Sequence, residues 1–462
     1  MGFEIVQLQS ICKKIVSGGT PKSTNPDFYN NGTIPWVKTK EVNNNRIYVS
    51  ENYITELGLK SSSAKIIPAN SVIIAMYGNG DTAGRVAINK IPVSTNQACC
   101  NLIIDNSKAD YRYVFYFLRT QYQRLVDLKN GGAQQNLNAK TIKEYPFPCA
   151  PLQFQNVVAD ILEGLDEKII LNQCINQTLE QMAQALFKSW FVDFEPVKAK
   201  MAVLEAGGSQ EDATLAAMMT ISEKDVDALA VFEREHPEQY AELKATAELF
   251  PSAMQDSEMG AIPEGWALGT LSDIAIFANG KVDVSSLTPA TYVSTENMLE
   301  NRAGISSASS LPSVNSVPNF RRGHVLISNI RPYFKKIWLA RFEGGRSADV
   351  LAFEARDSVT VEYIYNLLYQ ESFFDFMMLT SKGVKMPRGD KKAIMGWQCI
   401  CPEKKISHAF SKAVGNYYSF IESNHAQNKT LTQLRDTLLP KLLSGEITLP
   451  EAEQAVSEAE NV

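Results

Sequence analysis

The chain has 462 residues, 45% of them hydrophobic, and a formal net charge of −6, a length that supports two or three domains with their own cores. No apolar run approaches the ~18 residues of a membrane span. "MGFEIVQLQSICKK" lacks the apolar stretch and cleavage site of a signal peptide, and Val6 stands where a myristoylation motif wants Ser or Thr. Seven cysteines form no C-x-x-C pair and read as free thiols of a reducing, cytoplasmic compartment.

The charge is unevenly placed. Residues 1–150 carry 17 Lys+Arg against 10 Asp+Glu, and 262–400 carry 15 against 13, whereas 193–261 carry 5 against 15. An acidic total therefore hides two mildly basic segments that suit a polyanion.

In chain order, "SVIIAMYG" (71–78) and "RVAINKI" (85–91) have strand composition, with "NGDTAG" turning between them. "YRYVFYFLRTQYQRLVDL" (111–128) has helical apolar spacing. Residues 154–191 contain no Pro and one Gly, and Ile161, Leu165, Ile175, Leu179, Met182 and Leu186 fall on alternating steps of three and four. Lys168 and Asn172 fill the gaps, which makes the a/d seam of a coiled coil. Residues 198–255 are Ala/Glu-rich and predict short helices in a solvated acidic insertion. "HVLISNI" (324–330) and "KIWLARF" (336–342) repeat the earlier strand pair around "RPYFK". A second long helix offers Ala413, Tyr417, Phe420, Asn424, Gln427, Leu431, Leu434 and Leu438 as its seam, with Pro440 expected to kink or end it. The tail from 449 is expected to fray.

The two long helices are one helix written twice. "NQTLEQMAQALFKSWF" (176–191) matches "NKTLTQLRDTLLPKLL" (428–443) at an offset of 252, with five identities, among them Asn176/Asn428 and Leu186/Leu438. Earlier segments echo as well: "WVKTKEV" (36–42) with "YVSTENM" (292–298), and "YVFYFLR" (113–119) with "YIYNLLY" (363–369). Each half reads as a globular domain followed by a long helix, a repeat that sets the architecture. Apolar residues off the seam, including Phe187, Trp190, Phe191, Leu439, Leu442 and Leu443, predict a second, intermolecular surface.

Catalytic chemistry is hard to place. No G-x-x-x-x-G-K-[ST] loop and no G-x-S-x-G elbow occurs, and the four histidines sit at no metal-ligand spacing. "NPDF" (25–28) reads as a turn, and Asp166-Glu167-Lys168 as a charged helix face. What remains are loops rich in amides, hydroxyls and bases, the groups that read base edges and hold phosphates. The candidate DNA-contacting residues are Thr20, Lys22, Lys38, Lys40, Tyr77, Arg85, Gln134, Gln135 and Asn136 in the first half. In the second half they are Ser294, Arg331, Tyr333, Lys335, Lys336, Lys385 and Arg388. Any one such loop also reads as plain solvated surface.

"SGGTP" (17–21), "IPWVKTKEV" (34–42), "GGAQQNLNAKTIKEYPFPCAPLQFQ" (131–155), "LFKSWFVDFEPVKAK" (186–200), "AIPEGW" (261–266) and "LLPKLLSGEI" (438–447), in this order, resemble the specificity subunit of type I restriction–modification enzymes across essentially the full length. In the second half "KGVKMPRGD" lacks the Gln of "GGAQQNL". The resemblance implies an α+β fold, with two pseudo-twofold-related target-recognition domains separated and braced by two long antiparallel helices. The expected boundaries are 1–150 and 261–400 for these domains, 151–197 and 401–448 for the spacer helices, 198–260 for the linker and 449–462 for the tail. It further implies a chain without catalysis or cofactor of its own that binds a split duplex DNA target. Two methyltransferase and two motor-nuclease subunits would join it, carrying S-adenosylmethionine, ATP and Mg. The alternative is a two-headed protein-interaction scaffold without sequence-specific DNA binding.

Overall fold

A computed structural model describes residues 3–78, 82–128, 136–444 and 446–460. The chain divides into two compact units, 1–173 with 424–462, and 174–423. Both divisions fall within long helices: the central helix Leu152–Phe191 and the distal helix Lys404–Ser444.

In the first unit, a five-stranded sheet runs in the order Cys12–Ser17, Cys99–Ile104, Ser71–Ala75, Val86–Asn89, Asn45–Ile47, antiparallel except for the last pair. Successive side chains of a strand point to opposite faces, and both faces here are dry. Val72, Ile74, Val86, Ile88 and Leu102 pack under helix Tyr111–Thr120 with Tyr113 and Phe117, while Ile73, Ala75, Ala87 and Cys99 pack on Val37, Val42 and Ile47. Burial on two sides is why "SVIIA" reads as an unbroken apolar run. Glu4–Gln7 pairs with Pro146–Cys149 and closes the domain just before the central helix begins.

The second unit repeats the plan. Ala267–Thr270 pairs with Gln398–Cys401. An antiparallel sheet runs Ala275–Phe277, Val350–Ala355, Val325–Ser328, Ile337–Leu339. Val325 and Ile327 face one core and Leu326 the other. The acidic segment folds as four helices, Glu195–Glu205, Gln210–Ser222, Val226–Glu235 and Pro237–Glu248. They enclose a small core of Ala217, Met218, Leu229 and Ala247. Lys200 is buried there and its ammonium donates to the carbonyls of Ala247 (2.9 Å) and Phe250 (2.6 Å), which meets the requirement that a buried cation be hydrogen-bonded.

Within the first unit the two long helices run antiparallel. Asp166 meets Arg435, and Asn172 meets Asn428. In the second unit Phe187 packs on Phe410. On the central helix the buried stripe shares Leu165 and Asn172 with the expected seam and is otherwise shifted from it by one residue. Val158, Leu162, Leu165, Ile169, Asn172, Asn176, Ala183, Phe187 and Trp190 are buried, whereas Ile175, Met182 and Phe420 are exposed. Towards its C-terminal end the stripe is set by Phe187 and Trp190, since burying an aromatic ring removes more apolar area from water than burying Ile or Met, and with that phase Asn176 and Ala183 turn inward while Ile175 and Met182 stay exposed. Asn172 is buried as a seam amide should be, and donates to Gln427 (2.7 Å) and Asn428 (2.9 Å). Its repeat mate Asn424 is half-exposed.

The expected intermolecular surface is also corrected. Phe187, Trp190 and Phe191 lie inside an aromatic core with Phe250, Trp266, Tyr363 and Phe410. Leu439 and Leu442 are buried in the first unit's core, with Leu443 packed at its edge. A single domain already covers these residues, so they present no free face. The distal helix continues through Pro440 to Ser444, and the tail is a helix, Leu449–Glu460, with Ala452 buried.

The joint between domain and helices differs in chemistry between the units. In the first, the Asp166 carboxylate takes Arg46 (2.9 Å), Arg435 (2.7 Å) and the Tyr116 hydroxyl (2.7 Å). Arg112 joins Asp110, Asp160 and Glu163 beside it. Asp166 is therefore no solvated helix face. Burial pushes its carboxyl up, but the Arg46 hydrogen bond, the Arg435 charge and the Tyr116 hydroxyl outweigh this and hold it below the ordinary range. In the second unit the corresponding joint holds Asn366, Tyr418, Gln184 and Gln370 in neutral hydrogen bonds. Glu180 lies beside Tyr365 there, and burial pushes its carboxyl up to about 7 despite that hydroxyl and Arg341.

The two carboxyls give opposite pH slopes. Asp166 binds its proton less readily folded than unfolded, so its contribution is full at neutral pH and is lost as pH falls below the ordinary carboxylate value. Glu180 is protonated when folded and ionised when unfolded between 4.5 and about 7, so its contribution is lost as pH rises through that window. Glu180→Gln should flatten that loss and stabilise the protein by on the order of 2 kcal/mol at pH 8, read from urea unfolding at pH 5 and pH 8. Trp190→Ala should cost about 3–5 kcal/mol, read as a lowered urea midpoint at neutral pH.

Candidate nucleic-acid interface

In the first unit the loops meet around residues 95–98. Gly18 donates to Cys99 (3.1 Å) and Gly19 to Thr95 (2.8 Å). A Cβ on Gly18 would stand 2.1 Å from the Asn96 carbonyl oxygen, and one on Gly19 2.2 Å from the Ala64 nitrogen, so the "SGGTP" glycines permit a close backbone approach. The Trp36 indole donates to the Gly19 carbonyl (3.0 Å). This fixes Thr20, whose hydroxyl bonds the Gln97 side chain. Lys38 reaches Asn52 (2.8 Å) and lies 5.0 Å from the Trp36 ring centre. Asn96 donates to Val37 (3.0 Å), and Met76 to Ala98 (2.8 Å). Leu137 then donates to the Met76 carbonyl (3.1 Å), setting half-buried Asn136 beside exposed Tyr77.

Thr20, Lys38, Tyr77 and Asn136 are thus brought together. Arg85 stands one strand away, bonded to Asn43. Lys22 and Lys40 are exposed. Gln134 and Gln135 lie outside the described residues. Glu41 organises the 38–41 turn, its carboxylate accepting from the Lys38 amide (3.0 Å), the Ser50 hydroxyl (2.9 Å) and the Glu51 amide (2.9 Å).

In the second unit the candidates form one connected surface. Arg331 and Lys335 both take left-handed backbone angles (φ 51°) around the turn Pro332–Phe334. Such strain in non-glycine residues gathers at functional loops. Tyr333 is exposed at the turn. The Arg331 amide donates to Pro387 (2.8 Å), and Lys382 and Arg388 exchange two backbone bonds of 2.9 Å. The segment between them becomes a hairpin-like loop docked on residues 329–331. Lys335 pairs with Glu371 (2.7 Å), Arg388 with Asp349 (3.0 Å), and Lys336 donates to the Thr295 carbonyl (2.8 Å). Lys385 is exposed at the loop tip.

Ser294 stands at a turn of its own. Its amide and hydroxyl bond the Asn297 side chain (2.6 and 3.1 Å), whose amide spans Tyr292 and Ser306. Ser294 and Asn297 fasten this turn as Lys38 and Glu41 fasten theirs.

Several residues escaped the sequence reading. Gln97, Asn43 and Asn44 lie in short polar turns between strands, whose sequence marks a turn without showing that Gln97 meets Thr20 or that Asn43 meets Arg85. Leu379, Val384 and Met386 are 84%, 100% and 50% exposed, whereas an apolar residue in sequence reads as core. Arg346 is buried and held by the carbonyls of Asn319, Val350 and Ala278. Among the described residues, no three His, Cys, Asp or Glu side chains gather as metal ligands, and no helix is long and apolar enough to cross a membrane. The arrangement offers hydrogen-bonding and cationic surface, without a paired acid, base or nucleophile.

Comparison with known proteins gives a consistent picture. Residues 1–181 match the family model described as type I restriction modification DNA specificity domain. The chain is 30% identical over 352 residues to the type I restriction enzyme HindI specificity subunit of Haemophilus influenzae, covering 71% of this chain and 74% of that one. It is 26% identical over 466 residues to the type I restriction enzyme MjaIX specificity subunit of Methanocaldococcus jannaschii, covering 94% and 92%. A solved type I restriction-modification S subunit from M. genitalium aligns over 95% of this chain and 96% of that one, at 15% identity and a TM-score of 0.48.

Glu41→Ala removes the acceptor of three bonds at the 38–41 turn. The Lys38 and Glu51 amides should lose protection in hydrogen exchange while the sheet amides of residues 71–75 keep theirs.

Proposed function

The chain belongs to the family of type I restriction enzyme specificity subunits, the members of these enzymes that hold no active site themselves, and from that premise we propose that it reads a bipartite, asymmetric duplex DNA target. Each unit contributes one target-recognition domain and reads one half-site. The observation that supports this most directly is the repeat: two units of one plan, each with a polar loop cluster at the same place in its fold, but with different side chains. Equivalent positions with different chemistry suit two different half-sites. In the first unit Thr20, Lys38, Tyr77, Asn136 and the neighbouring Gln134 and Gln135 supply amides and hydroxyls for base edges, with Lys22, Lys40 and Arg85 for phosphates. In the second, Arg331, Tyr333, Lys335, Lys336, Lys385 and Arg388 form the contact surface.

The chain also carries two modification subunits, with two restriction subunits joining for cleavage, in the cytoplasm. Those partners bring S-adenosylmethionine, ATP and Mg, and this chain binds none of them. With Leu439 and Leu442 buried, the first unit's docking area falls to Ile170 and Leu171, which remain exposed on the central helix. The paired helices set the separation between half-sites.

Methylome sequencing of a host expressing this chain with a type I modification subunit tests the proposal: a split adenine-methylated motif supports it, and none at all defeats it. Gln134→Ala with Gln135→Ala should change preference in one half of the motif only. Inserting four residues, about one helical turn, into one long helix should shift the preferred half-site spacing. Affinity measured between 50 and 200 mM salt should fall by orders of magnitude, as counterion release requires.

A further inference from the structure

We infer that the loop between Lys382 and Arg388 enters the major groove and reads thymine through its C5-methyl group, by apolar contact from Val384 and Met386. This rests on the DNA-reading function proposed above and specifies how the second unit performs it.

Four observations carry the inference. The loop is built: Lys382 and Arg388 are joined by two backbone bonds, and Asn329 and Arg331 fasten its base through Gly389 and Pro387. Its tip is apolar and uncovered, Val384 completely so. Its surroundings are cationic, since residues 379–392 hold five Lys or Arg and one acidic residue, Asp390. A protein-binding patch is depleted in lysine at its centre, yet Lys385 sits between the two apolar tip residues and is exposed. Residues 379–392 also contain no Asn or Gln, so the bidentate amide contact to adenine is absent. Arg388 pairs with Asp349, and the exposed Lys385 is left for a phosphate or a guanine edge. The side chains of Val384 and Met386 carry no N–H or O–H group, so the contact they can make in the major-groove code is the apolar one to the thymine methyl. A two-stranded ribbon is narrow enough to enter that ~12 Å groove.

The test uses the full chain in complex with a type I modification subunit and duplexes carrying its methylated motif. Each thymine of both half-sites is replaced in turn by deoxyuridine, which removes only the methyl. At one or two positions of a single half-site, affinity should fall about fourfold, the effect of exposing one methyl-sized group. Val384→Ala should abolish that sensitivity with an unchanged melting temperature. Lys385→Ala should weaken all duplexes alike and reduce the salt slope by about 1. Sequence-selective binding without sensitivity to any deoxyuridine, or full sensitivity retained in Val384→Ala, overturns the inference and leaves the function standing. So does protection of Val384 by the modification subunit without DNA. Absence of sequence-selective binding by the wild-type complex defeats both.

Discussion

A charge taken out of water must find its full set of partners, and the first unit is organised around one that does. Asp166 leaves solvent only because Arg46, Arg435 and Tyr116 converge on it. These groups come from an edge strand, the distal helix and the domain's covering helix. Removing any one partner would leave an imperfectly compensated ion, a costly arrangement in a protein interior. The domain, the central helix and the distal helix are therefore locked by one electrostatic requirement. The second unit meets the same mechanical need with tyrosines, amides and a carboxyl held near neutrality. Divergence between the copies has changed the chemistry of the joint and kept its place.

The repeat separates what must be shared from what must differ. Both units keep strands with two dry faces, a pairing of first strand with last that closes the domain, and a turn fastened by an acceptor three residues on: Glu41 in one, Asn297 in the other. These features hold the scaffold. The exposed loops differ, with amides and hydroxyls gathered near residues 95–98 in the first unit. In the second, a cationic hairpin-like loop with an apolar tip rests on residues 329–331, with Arg331 in a left-handed conformation. Loops carry recognition while a rigid frame positions them.

Much of this was legible in the residues. The doubled helix, the strand pairs at 71–91 and 324–342 and the acidic helical insertion all follow from local pattern. Seam position did not. A heptad reading weighs each apolar residue alike, and only the aromatic core of Phe187, Trp190, Phe191, Phe250 and Trp266 shows which phase the helix turns inward. The same blindness assigned that cluster to a partner. "LFKSWFVDF" shows an apolar face at helical spacing, but nothing local says what covers that face, and the covering residues lie as far away as Phe410.

The chain by itself determined the α+β class, the duplication, the basic domains and the family, because periodicity, composition and ordered motifs are local properties. Tertiary structure alone decided which apolar residues are core and which stay exposed. It also decided which cations are committed to Asp349 or Glu371, and where Asp166 and Glu180 become buried. Burial and pairing depend on segments hundreds of residues apart meeting in space. The free energy of a charge or a methyl group is set by those neighbours, which no window of sequence contains.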